Sequence, residues 1–144
     1  LEACREGRLA STLDLANAVY RVLHRETARR KGWIDPATRT FQAIRIAVNG
    51  ELRGLEATCE RAVEALKPGG RVAIISFHSL EDRIVKRTLR RLSGRYDGPG
   101  RESPTPLPSL LRLIHPGGLA PSEAESAANP PSRSARLRIG ERLP

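Results

Sequence analysis

Residues 68–83, PGGRVAIISFHSLEDR, leave this chain few folds to choose from. A Pro-Gly-Gly turn introduces an uncharged, mostly apolar run, Val72 to Ser76. Its length and its bounding turn predict a strand over 71–77 buried on both faces, as in a parallel sheet. At Phe77 the character turns polar and charged. Ser79 followed by Asp82 has capping-box spacing, which predicts Ser79 as a helix cap. Leu80, Ile84, Leu89 and Leu92 follow roughly helical steps, so a helix is expected over 80–92. Strand, two-residue corner and helix make an α/β unit, and ligands of open α/β sheets gather at the carboxyl ends of the strands. His78 and Ser79 fall there and are the candidate catalytic groups, in a substrate-positioning role.

Upstream, Asp35-Pro36 reads as a helix start, carboxylate as N-cap and proline at the first helical position. Phe41, Ile44, Val48, Leu52, Leu55, Cys59, Ala62 and Leu66 then keep steps of three and four in one phase. That continuity predicts one long helix over 36–67, with a kink conceivable at Asn49-Gly50. Thr38, Gln42, Arg45 and Asn49 form a polar stripe beside the apolar one, and Arg39 adds a cation next to it. Such a stripe either meets a ligand or hydrogen-bonds neighbouring loops, and both readings stand.

The charge balance adds a partner class. Twenty-five Lys and Arg against 16 acidic residues give +9, which favours a polyanion over a neutral ligand. Two segments carry the excess: Arg25 to Lys31, beside Trp33, and Arg83 to Arg95, with six cations and no carboxylate. Arg83, Lys86 and Arg87 are candidate phosphate contacts; the competing reading is a solvated helix face. Cys4 and Cys59 give no disulfide framework and read as buried thiols of a reducing compartment, hence a cytoplasmic chain. His24, His78 and His115 show no metal-ligand spacing, and no apolar run reaches membrane-spanning length.

Gly94 to Pro108 reads as an exposed loop. A strand pair is expected near 109–114 and 133–139. In the second strand Ala135, Leu137 and Ile139 alternate with Arg136 and Arg138, which predicts arginines on a wet face.

Ser76 to Lys86, SFHSLEDRIVK, together with Asp35 to Asn49, DPATRTFQAIRIAVN, closely resembles the bacterial MraW family. Pro121-Ser122-Glu123, Ala128-Asn129-Pro130 and Arg133 to Arg138 resemble it too, in the same order. The resemblance implies an S-adenosylmethionine-dependent enzyme that methylates N4 of a cytidine in 16S rRNA of the small ribosomal subunit. It implies an α/β fold: the C-terminal half of a Rossmann-like class I methyltransferase sheet over 35–144, with 1–34 part of an inserted small helical domain. It also implies that the glycine-rich cofactor loop and the acidic ribose-binding residue lie in an N-terminal half needed to complete the fold. Two positions depart from the family: Asp35 stands where histidine is common, and Ser126 where an aliphatic residue is usual. The alternatives are a noncatalytic basic α/β module that binds RNA, and a remnant whose open strand edge seeks a partner chain.

Overall fold

Two glycines decide the chain's division. Gly50 and Gly54 both adopt left-handed backbone (φ 63° and 76°), which glycine enters without a Cβ penalty. The apolar spacing that predicts one helix over 36–67 is therefore cut into two, Pro36–Asn49 and Leu55–Glu64. The computed structural model describes residues 5, 7, 9–23, 35–95 and 108–144. It forms two compact units, Leu1–Glu51 and Leu52–Pro144, dividing downstream of the boundary at residue 34 read from the sequence. The basic run Arg25 to Lys31, Trp33, Cys4 and most of the Gly94–Pro108 loop lie outside the described residues.

In the first unit, α1 (Thr12–Leu23) starts at a reciprocal cap: Asp14 accepts from the Ser11 amide and hydroxyl while its own N–H donates to Ser11 Oγ. Helix α2 (Pro36–Asn49) starts as its sequence predicts, with Asp35 Oδ1 accepting from the Ala37 N–H at 2.7 Å. The second Asp35 oxygen accepts from the Tyr20 hydroxyl of α1 at 2.9 Å, so one carboxylate both caps α2 and ties it to α1.

In the second unit, α3 (Leu55–Glu64), β1 (Arg71–Ser76), α4 (Ser79–Leu92), β2 (Leu111–Leu113), the short α5 (Glu123–Ala128), a 3-10 turn (Pro130–Ser134) and β3 (Arg136–Arg142) follow in order. The expected α/β class holds, with a small sheet ordered β1-β3-β2, antiparallel throughout. The expected strand pair is present, as β2 and β3, and β3 takes the central position. Helices α3 and α4 cover one face, where Cys59, Val63, Val85, Leu89, Leu92 and Leu111 form the core and Val72, Ile74 and Leu113 pack onto it. The second half of the expected apolar phase survives the break: Leu55 and Cys59 pack in the core and Ala62 and Leu66 are half-buried, while Val63, outside that spacing, is fully enclosed beside them. Gly140 of β3 faces this core; a Cβ there would lie 3.0 Å from Leu111 Cδ1, so a side chain at this point would require Leu111 to shift.

Two strand expectations are corrected. β1 is not buried on both faces: residues 71 to 75 alternate between exposed and half-buried, with Ile75 58% exposed, and only Ser76 at its end is buried. The reason is that among the described residues β1 pairs only with β3, and helices cover only one side. The alternation of β3 is also reversed. In register, Arg138 lies opposite Ile74 on the helix-covered face, while Leu137 and Ile139 lie opposite Ile75 and Ala73 on the other. Arg138 is only 7% exposed because Asp82 of α4 receives its Nε and Nη2 hydrogens at 2.7 and 2.9 Å. A counter-charge from a helix has turned an expected wet residue into a buried one.

Removing one member of such a pair strands the other. Asp82→Asn is expected to cost roughly 3 kcal/mol, which for a domain this size lowers Tm by more than about 10 °C. Asp82→Leu combined with Arg138→Leu should recover most of that loss in the same melts. The Arg138 hydrogen bonds hold the Asp82 carboxyl below its ordinary range, with burial opposing and Arg136 and Lys86 assisting. Because the folded value is depressed, the pair's contribution is complete above about pH 4, the unfolded value, and is lost as pH falls through the folded one. Acid titration of wild type and the double-Leu variant should diverge only in that low window.

Candidate functional site

The corner between β1 and α4 is built on His78. Its backbone is extended (φ −142°, ψ 159°), and its Nδ1 accepts the Glu81 N–H at 3.3 Å. Glu81 reaches back: its Oε2 accepts from the Phe77 and His78 amides at 3.0 and 3.4 Å. This is a capping box with histidine in the place usually held by serine or threonine. The expectation that Ser79 caps the helix is thus corrected: Ser79 is the first helical residue and is exposed. Asp82 is not available for a box because Arg138 holds it, and Glu81 stands three residues after His78.

Since Nδ1 accepts, the geometry assigns the proton of the neutral ring to Nε2. That nitrogen is buried 3.2 Å from Glu81 Oε1, close enough for an ion pair yet outside hydrogen-bonding geometry. The Ser76 hydroxyl, at the last position of β1, is likewise buried without a partner. Sequence reading missed Ser76 and put Arg138 on a wet face; the Glu three residues after His78 was the available signal for the box.

Beyond the corner, α4 presents cations in a stripe. Arg83 and Arg87 are exposed one turn apart, with no carboxylate partner among the described residues. Lys86 is half-buried and lies within electrostatic reach of Asp82. Arg91, one turn further on, is used within the fold, pairing with Glu56 at 3.0 Å and with Glu60, both on α3. The polar stripe of α2 belongs to the other unit. There Arg45 grips Glu51 through Nε at 2.8 Å and Nη2 at 3.1 Å, and Asn49 Nδ2 donates to the same carboxylate. The boundary reading thus accounts for Arg45 and Asn49, which fasten the turn after α2. Arg39 is exposed and Gln42 half-buried.

A sequence profile described as the MraW methylase family matches residues 2–143. The chain belongs to the MraW methylase family. Over 99% of its length it is 50% identical to the ribosomal RNA small subunit methyltransferase H of Methylobacterium nodulans. It is 49% identical to the protein of the same name from Cereibacter sphaeroides. A Caulobacter relative so named is 48% identical over 96% of the chain. The chain spans about two-fifths of these curated relatives' length, from 42% to 43%. The resemblance carried by SFHSLEDRIVK and DPATRTFQAIRIAVN therefore holds.

A MraW methylase implies a methyl donor of the S-adenosylmethionine type. The corner does not cradle one: it contains no glycine, and the Phe77, His78 and Glu81 amides that would face a ligand are consumed by the box. Among the described residues there is also no metal-binding cluster, and no helix long and apolar enough to cross a membrane.

The swapped cap gives a direct test. His78→Ala should lose about 0.5–2 kcal/mol of stability, the usual cost of an N-cap. Ser79→Ala should stay within about 0.5 kcal/mol of wild type in the same denaturant titrations. A loss confined to Ser79→Ala, with His78→Ala neutral, would return the cap to Ser79.

Proposed function

We propose that this chain is the C-terminal portion of a cytoplasmic enzyme that transfers a methyl group from S-adenosylmethionine to N4 of a cytidine in 16S rRNA. The carrying observation is the 50% identity, across 99% of the chain, to a small-subunit ribosomal RNA methyltransferase. Support also comes from the two exposed arginines on the helix that leaves the strand end, Arg83 and Arg87. In this reading they and Lys86 hold RNA phosphates, as point contacts that set register rather than sequence. Arg39 and Gln42 on α2 are further RNA contacts, while Arg45 and Asn49 shape that surface through Glu51.

The cytosine amine is a weak nucleophile because its lone pair is delocalised into the ring. Its methylation depends on alignment and on acceptors for the amine hydrogens as charge develops. Ser79 supplies an exposed hydroxyl at the strand end, and His78 fixes where that hydroxyl stands. The cofactor grip is assigned to the N-terminal half of the full-length enzyme, because the described corner spends its amides on capping. A second reading, a basic module that binds RNA without catalysis, is favoured by that same lack of a cradle.

Three measurements test these readings. Calorimetry on the 144-residue chain should give no saturable micromolar binding of S-adenosylmethionine. Anisotropy with a small-subunit rRNA fragment should show affinity falling steeply between about 50 and 200 mM salt. Arg83→Gln with Arg87→Gln should reduce the log–log salt slope by about two, one per phosphate contact. A flat salt dependence of the wild type would sink the RNA assignment. Methyl transfer by the full-length enzyme but not by its Ser79→Ala variant would exclude the noncatalytic reading.

A further inference from the structure

We infer that Phe77 is a stacking platform for an unpaired nucleobase of the RNA strand whose phosphates Arg83 and Arg87 hold. The inference rests on the RNA reading above and adds a base contact to it.

Phe77 occupies the position just before the N-cap, where an apolar side chain ordinarily packs onto the fourth residue of the helix. Here that fourth residue is Asp82, whose carboxylate is committed to Arg138. The staple therefore cannot form, and Phe77 is left 58% exposed. Its backbone is nevertheless pinned. Ser76 before it is paired in the sheet, and its own N–H donates to Glu81 at 3.0 Å. The result is an outward-facing ring on a fixed backbone, in a chain with only two phenylalanines.

The neighbours select the occupant. Leu80, on the first turn of α4, is also exposed and extends the apolar surface. Arg83 follows it by three residues and Arg87 by a further four, a rise of about 6 Å between the arginines, on the scale of one nucleotide step. No carboxylate occurs from Arg83 to Arg95. An exposed ring just before the start of α4, followed along that helix by exposed cations repeated at that interval, matches the alternation of base and phosphate along a single strand. Single-strand binders hold the backbone by charge and the bases by aromatic faces. Phosphate contacts alone would leave the bases unconstrained, whereas a ring at the strand end fixes the plane of one of them.

The test uses the 144-residue chain and a single-stranded RNA carrying the fluorescent cytosine analogue pyrrolocytosine. Wild type should bind with a change in probe emission. Phe77→Leu, which keeps the apolar character but removes the π face, should weaken binding about five- to hundredfold and abolish the emission change. Its salt slope should equal that of wild type, because the phosphate contacts are intact, and Phe77→Trp should restore both affinity and emission. Circular dichroism melts confirm that the variants are folded. If Phe77→Leu binds within twofold of wild type with the same emission change, the platform is wrong while the RNA reading survives, and the ring serves a protein contact. If wild type binds no RNA at all, both fall together.

Discussion

The ion pair between Asp82 and Arg138 joins the three parts of the second unit that matter most. It ties the first turn of α4 to the central strand, and the loop at Gly118 closes over the guanidinium from the other side. Gly118 has left-handed backbone (φ 73°), and a Cβ there would stand 3.2 Å from Arg138 Nη1. Glycine suits that loop first through its left-handed backbone and then through the nearby guanidinium, while the pair removes Asp82 from the helix cap. It also leaves the residue before the cap without an apolar staple at the fourth helical position. With Asp82 occupied, the cap passes to His78 and Glu81, and the corner takes its form from that substitution. Pairs of this kind carry a large desolvation cost, so the specification of one arrangement is as much their contribution as net stability.

A second set of charged contacts holds the helical layer to the sheet. Arg142 donates from Nη1 to the Val63 and Glu64 carbonyls at 2.9 and 3.1 Å, satisfying orphan acceptors at the end of α3. Arg91 of α4 reaches two carboxylates of α3. The cations of this chain therefore divide by position into those that close helix ends and helix pairs and those that face solvent. Formal charge alone does not separate them, and Arg91 and Arg87 look equivalent in the sequence.

Much of the architecture was legible because it rests on local rules. Asp35-Pro36 starts a helix because a short carboxylate and a fixed φ suit that place, and both act there in the structure. The strand–corner–helix unit and the β2–β3 pair follow from apolar runs and turn residues. What could not be read required knowing a neighbour. Arg138 looks wet until Asp82 is brought opposite it across 56 residues of chain. Ser79 looks like a cap until Asp82 is spoken for and Glu81 selects His78. The long-helix reading failed for a different reason: periodicity weighed apolar positions and undercounted two left-handed glycines. At the candidate site, the corner and the exposed arginines of α4 were visible in the sequence, and which of His78 and Ser79 caps the helix was not.

The uncovered side of the sheet bears on how the protein behaves in concentrated solution. Val72-Ala73-Ile74-Ile75 is a short β-prone segment free of charge and proline, and one of its edges is unpaired among the described residues. Such a segment is a template for intermolecular strand addition and for cross-β growth. The net charge of +9 opposes that through colloidal repulsion between molecules. Polyanions or high salt that screen this charge would also lift the barrier to self-association, so under the proposed RNA reading solubility and RNA contact draw on the same positive charge.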